Sequence, residues 1–203
     1  NVNQAKTDGY TPLYIASHKG HVGVVELLLK NYGFDVNQLT IFGETPLSMA
    51  SHKGHVGVVE LLLGASGIDV NQATEEGKTP LYIAAGKGHE DVVRMLLEAP
   101  GINVNQVTED GYTPLYIAAG KGHVKVVELL LQHKASIDIT VNNLSCMDLA
   151  LDKSQGIITQ FKGEGGNSLS PNSNLYNDLL RYVNIISVLR FVAGPSITYT
   201  EGT

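Results

Sequence analysis

The apolar positions along this chain come in two alternating kinds of run, separated by glycine-rich polar turns. Leu115, Ile117, Ala118 and Ala119 follow a Thr-Pro pair and stop at Gly122. Proline is tolerated at a first helical position, where its missing N–H would have had no partner, and glycine commonly ends a helix. A short helix is therefore predicted over about Pro114–Lys121. Val126, Val127, Leu129, Leu130 and Leu131 then predict a second helix over roughly Val124–Leu131. Its apolar surface is too broad for a single face, so it must be covered from more than one side. An extended segment of the type Ile102–Gln106 follows, turning at Glu109, Asp110 and Gly111. Helices of ~8 residues do not persist alone in water, so these elements must be held by neighbours.

The neighbours are copies of the same unit. Gly9, Gly43, Gly77 and Gly111 are spaced by 34 residues, as are Pro12, Pro46, Pro80 and Pro114, and His21, His55, His89 and His123. A fifth, looser copy is shifted to 32, with Asn143, Ser145, Met147 and Ala150 at the places of Gly111, Thr113, Leu115 and Ala118. A fixed period of this length is the signature of a stacked array in which each unit buries the next.

The recurring string, quoted from the fourth copy as GYTPLYIAAGKGHVKVVELLL and followed in other copies by segments such as IDVNQ, resembles the ankyrin repeat. The resemblance covers residues 1 to about 162. It implies an all-α helical repeat solenoid with short β-hairpin turns and a concave binding face. The repeats fall at about 5–38, 39–72, 73–106, 107–138 and 139–162, and residues 1–4 match the tail of an upstream repeat. Two departures stand out. The histidine that ordinarily follows Thr-Pro-Leu is replaced by Tyr14, Ser48, Tyr82, Tyr116 and, in the fifth copy, Asp148. Copies one to three also carry an extra residue after the second helix.

The ends differ from the middle. Val24, Val25, Leu27, Leu28 and Leu29 of the first copy are as apolar as their interior counterparts. Terminal units normally need a polar outer face, so further repeats or another domain are expected before Asn1. Leu149, Ile157, Ile158 and Phe161 read as a degenerate closing repeat, and 163–174 as a flexible linker. A final amphipathic helix is predicted over Leu175–Val192, within a C-terminal segment 175–203, capped by Ser173 or Asn174 and stopped by Gly194-Pro195. Its polar residues Asn177, Asp178, Arg181, Asn184, Ser187 and Arg190 form one narrow stripe. Packing on its own solenoid or on a partner subunit is the expected outcome. The stripe is too weakly basic for strong lipid attraction.

Composition narrows the function. Acids outnumber bases 20 to 14, a net charge of −6, so no basic field points to nucleic acid. The single cysteine, Cys146, excludes an internal disulfide framework and any cysteine-rich zinc site. A reducing, cytoplasmic setting is expected, and no transmembrane segment is visible. Glu75–Glu76 and Glu109–Asp110 fall at solvated turns, where nothing would shift them toward acid–base catalysis. His18 with His21, and His52 with His55, lie three residues apart, but each pair belongs to its own unit, and the Gly-His element builds the turn between helices. No nucleophile or phosphate-loop motif occurs. The chain is therefore expected to be no enzyme and to need no cofactor and no metal.

The resemblance places partner contacts at the hairpin tips and at the ends of the first helices. The tip residues are Thr7, Asp8 and Tyr10; Ile41, Phe42 and Glu44; Glu75, Glu76 and Lys78; Glu109, Asp110 and Tyr112. The helix ends contribute His18 and Lys19, His52 and Lys53, Lys87, and Lys121. Tyr10, Phe42 and Tyr112 are predicted as exposed rings of the kind that make interface hot spots. The lysine ladder suits an acidic or phosphorylated segment, or reflects no more than repeat ancestry. Tyr14, Tyr82 and Tyr116 are expected to pack between neighbouring first helices and to hydrogen-bond through their hydroxyls. Two functional classes follow: a non-enzymatic scaffold binding a protein partner through tips and groove, or the targeting region of a larger enzyme or channel.

Overall fold

The computed structural model describes residues 9–30, 35–163 and 174–194. Among these, ten helices follow one another: α1 (Pro12–Lys19), α2 (Val22–Leu29), α3 (Pro46–Lys53), α4 (Val56–Leu63), α5 (Pro80–Lys87), α6 (Glu90–Glu98), α7 (Pro114–Lys121), α8 (Val124–Gln132), α9 (Cys146–Gly163) and α10 (Asn174–Ala193). The odd-numbered helices pack in one row and the even-numbered in a second, each pair bridging the two rows. The chain is all-α, as its repeat implies.

Each inner helix starts the same way. The hydroxyl oxygens of Thr11, Thr45, Thr79 and Thr113 accept the amide protons of Tyr14, Ser48, Tyr82 and Tyr116 at 3.0–3.1 Å. That satisfies one of the N–H groups a helix start leaves open, and proline removes another. The fifth unit reaches the same end differently. Ser145 accepts from the Asp148 amide at 3.1 Å, and the Asp148 carboxylate accepts the Ser145 amide at 2.8 Å. Asp148 therefore completes a reciprocal cap where Cys146 has replaced the proline.

Two ties join successive units. The ring of His55 donates to the carbonyl of His18 at 3.1 Å, His89 to that of His52 at 3.0 Å, and His123 to that of Gly86 at 3.2 Å. Each ring lies over the glycine that ends the preceding inner helix. At Gly88 (φ +74°) an added Cβ would stand 2.6 Å from His123. The second tie is an asparagine ladder. Asn37 donates to the carbonyl of Gly67 and accepts from Asp69, and Asn71 does the same with Gly101 and Asn103, all at 2.8–2.9 Å. Between the rows lies a dry core in which Leu47, Val58, Leu62, Leu81, Leu96 and Leu130 are fully buried.

The expected hairpins close as tight turns. Thr40 donates to the Glu44 carbonyl, Thr74 to Lys78 and Thr108 to Tyr112, at 3.0–3.1 Å. Their arms are too short for a ladder, so no strand forms among the described residues, which hold only an isolated antiparallel bridge, Val141–Leu144. The tips instead crowd one another. Gly43 (φ +70°) lies where a Cβ would meet the Glu75 amide at 2.7 Å.

The last unit differs most from the others. No Gly-His pair interrupts the chain after Ala150, so α9 runs on for 18 residues. The amphipathic helix predicted over 175–192 is α10, and it packs on both α8 and α9. It thus stands in the outer row, where a second helix of the fifth unit would stand. Its own Ile185 and Leu189 are fully buried. Most of the linker, residues 164–173, lies outside the described residues.

Candidate interaction surface

The inner helices end on one side of the stack and the tight turns project beside them, so the residues expected at tips and helix ends do share a surface. Lys19, Lys53, Lys87 and Lys121 are the last residues of α1, α3, α5 and α7, and all four are exposed. Lysine at a helix C-terminus also complements the partial negative charge there. The ladder is felt by the histidines beside it. Burial first, then Lys53 and Lys19, lower His18, and burial followed by Lys87 and Lys53 lowers His52. Both rings are therefore biased toward the neutral form.

Of the rings expected to be free, only Phe42 is. Tyr10 is half-buried and stacks flat on Tyr14, centroids 4.9 Å apart and planes 7° apart. Tyr112 is also half-buried, 5.2 Å from Tyr116 at 42°. The correction has a simple cause. The residue immediately before Thr-Pro stands four positions, one helical turn, ahead of the tyrosine that follows it, so two aromatics at this spacing cover each other. In the second unit the pair is Glu44 and Ser48, and no such stack forms. The expectation of hydroxyl bonding holds for Tyr14, which donates to Glu44 of the next unit at 2.5 Å. Burial first, and then Glu44, push its phenol pKa upward. Tyr82 and Tyr116 are buried in the same column.

Glu44 is therefore engaged between units, and Glu76 pairs with Lys78. Ile41 and Phe42 are 58% and 55% exposed, side by side at one tip. Beside Phe42 opens a cleft of about 420 Å³, lined by Phe42, Glu44, His52, Thr74, Glu75, Glu76, Lys78 and Ile83. Glu109 and Asp110, at the next tip, are exposed to solvent. Asp8 and Thr7 lie outside the described residues. Sequence reasoning missed Ile83 and Thr74 as wall residues, because the cleft forms between two copies and appears only once the 34-residue offset is folded into a stack.

The remaining candidates are structural. His55, His89 and His123 are spent on carbonyls, and among the described residues no three acidic, histidine or cysteine side chains converge as metal ligands. Cys146 is buried, and burial pushes its thiol up to about 11, which leaves it a small hydrophobe without thiolate character. Among the described residues, no helix is long and apolar enough to cross a membrane.

A family model for ankyrin repeats, in its three-copy form, matches residues 1–74 and 67–143. A search of curated proteins gives no match. The sequence period, the paired rows of helices and the family match agree, and the chain belongs to the ankyrin repeat family, whose general role is protein–protein interaction.

Proposed function

We propose that this chain is a non-enzymatic scaffold that holds a protein partner through its turn tips and the adjoining ends of its inner helices. The observation that carries this reading is the Ile41–Phe42 pair. Two large apolar side chains stand exposed at one tip, and Phe42 of the pair lines a cleft. A stacked scaffold is preorganised, so docking orders few of its own groups and affinity rests on a few anchors. Ile41 and Phe42 serve as those anchors. Glu75, Glu76, Lys78, Glu109 and Asp110 form a charged rim that orients the partner, and Lys19, Lys53, Lys87 and Lys121 border the other side of the surface. Tyr10 and Tyr112 contribute the edges of their stacks.

The test is capture of partners on the immobilised chain, followed by comparison with the Ile41→Ser, Phe42→Ser double variant. Loss of ~10-fold or more in affinity for a captured partner, with helical content and melting unchanged, is the expected result. Equal binding by the double variant would place the site elsewhere.

A further inference from the structure

The inner helices α1, α3, α5 and α7 all end in a lysine followed by glycine, but the last of these ends has different surroundings. After α1, α3 and α5 the ring over the closing glycine is a histidine of the next unit. After α7 it is Tyr182 of α10, whose hydroxyl donates to the Gly120 carbonyl at 3.1 Å. The helix that brings Tyr182 also brings Arg181, whose Cδ lies 3.8 Å from where a Cβ on Gly122 would stand. Lys153 of α9 lines the same cleft, which has a volume of about 260 Å³. Three cationic side chains from three helices, Lys121, Lys153 and Arg181, thus share one cleft.

Their charge is only partly cancelled from within. Asp178, one turn before Arg181, accepts from its guanidinium at 3.0 Å, and a guanidinium carries further donors. Among the described residues, no salt bridge involves Lys121 or Lys153. Three positive charges against one negative leave the cleft an excess of two. The open carbonyls of a helix end ordinarily oppose an anion. Here those of Ala118 and Ala119 accept from the His123 and Gly122 amides, and that of Gly120 from Tyr182, which blunts the opposition. Ile157, one turn along α9 from Lys153, and the Tyr182 ring give the cleft an apolar wall.

A phosphate monoester carries about −1.5 to −2 near pH 7 on a fan of acceptor oxygens, which matches that excess better than a singly charged carboxylate does. The chain as a whole carries −6, which disfavours an extended polyanion such as nucleic acid or an anionic membrane. A single phosphoryl group on an otherwise neutral segment escapes most of that repulsion. We propose that the cleft between Lys121, Lys153 and Arg181 binds the phosphoryl group of a phosphorylated serine or threonine in a segment of a partner protein. The three cations hold its oxygens, and Ile157 and the Tyr182 ring pack against the residue beside it. This inference goes beyond the reading of the turn tips and does not depend on it.

The probe is a capped peptide, Gly-Leu-phosphoserine-Ala-Gly, titrated into the nitrogen-15-labelled full chain. Saturable shifts of the Gly122, Lys153 and Tyr182 amides are expected at peptide concentrations below ~1 mM. The unphosphorylated peptide should cause none, and inorganic phosphate should bind at least ~3-fold more weakly for want of the flanking contacts. The Lys153→Gln, Arg181→Gln double variant should weaken peptide binding at least ~10-fold. Lys19→Gln, at a helix end without the two added cations, should leave it unchanged, as should Ile41→Ser with Phe42→Ser. The charge variants alter exposed side chains and break only a surface ion pair, so their thermal midpoints should stay within ~2 °C of the parent. Undiminished binding by the double variant would overturn the proposal. So would equal shifts at the ends of α1, α3 and α5, which would reduce the effect to the lysine row. Inorganic phosphate binding as tightly as the peptide would overturn the assignment to a protein segment. Pelleting of the chain with phosphatidylserine vesicles, without any response to the peptide, would overturn it in favour of a membrane surface.

Discussion

Tyr182 and Gly120 are joined by a hydrogen bond of 3.1 Å across 62 positions of sequence, and the carbonyl involved is the one that a histidine ring claims at each earlier junction. A phenol from an unrelated helix thus takes over the work of a repeat residue. Tyr182→Phe keeps the ring over Gly122 and removes only the hydroxyl. It is expected to cost about 1 kcal/mol, lowering the thermal midpoint by ~2–4 °C. Deleting residues 174–203 uncovers the surface beneath Ile185 and Leu189 and should lower it several-fold further, as differential scanning calorimetry would show.

Ser17 and Ser51 are fully buried with hydroxyl oxygens that find no partner, at the register where the third and fourth units carry Ala85 and Ala119. An unsatisfied buried hydroxyl costs ~1–3 kcal/mol. Ser51→Ala should therefore stabilise the chain by about 1 kcal/mol in urea unfolding, and a loss of stability would show that the hydroxyl has a partner in solution.

Gly88 and Gly122 have nearly the same left-handed backbone, φ +74° and +77°, yet different neighbours. A Cβ at Gly88 would press on the His123 ring at 2.6 Å, whereas at Gly122 the nearest atom, on Tyr182, is 3.5 Å away. Gly122→Ala should cost only the conformational penalty of ~1–2 kcal/mol. Gly88→Ala should cost more, because it also displaces the ring bonded to Gly86. Side-by-side unfolding curves decide it.

Asn71 holds two backbone groups of the following unit, the carbonyl of Gly101 and the amide of Asn103. Asn71→Ala should cost about 2 kcal/mol, at ~1 per bond lost, and should speed exchange of the Asn103 amide more than that of any inner-helix amide.

His123 sits below its ordinary value of 6.5, chiefly through burial, with Arg181 adding to the shift and the bond to Gly86 opposing it. The unfolded chain takes up this proton more readily than the folded one. Its contribution is therefore complete above pH ~6.5 and lost as pH falls below that value toward the folded one. His18 and His52 shift in the same direction. Urea midpoints should fall between pH 7 and pH 5, and His123→Gln should flatten part of that slope.

Most of the fold was legible because the determinants are local. Thr-Pro caps, glycine stops and a fixed period place α7 at Pro114–Lys121, as the apolar pattern predicted. What was not legible depends on contacts made across the period. Nothing near Tyr182 marks it as a partner for Gly120, and nothing near Glu44 marks it for Tyr14. The length of α9 was readable in principle, since no Gly-His pair follows Ala150. At the surface, Ile41 and Phe42 were recognisable as departures from the polar residues at equivalent tips. The stacking of Tyr10 and Tyr112 was hidden by treating each residue singly, when the four-residue spacing to the next tyrosine decides their exposure.

The histidine-to-carbonyl junction also bears on how such a chain can change length over evolutionary time. Every interior seam carries the same male and female parts, so tandem duplication or loss of a 34-residue block anywhere ahead of the last unit leaves matched seams on both sides. Growth and shrinkage are thereby tolerated in the body of the array.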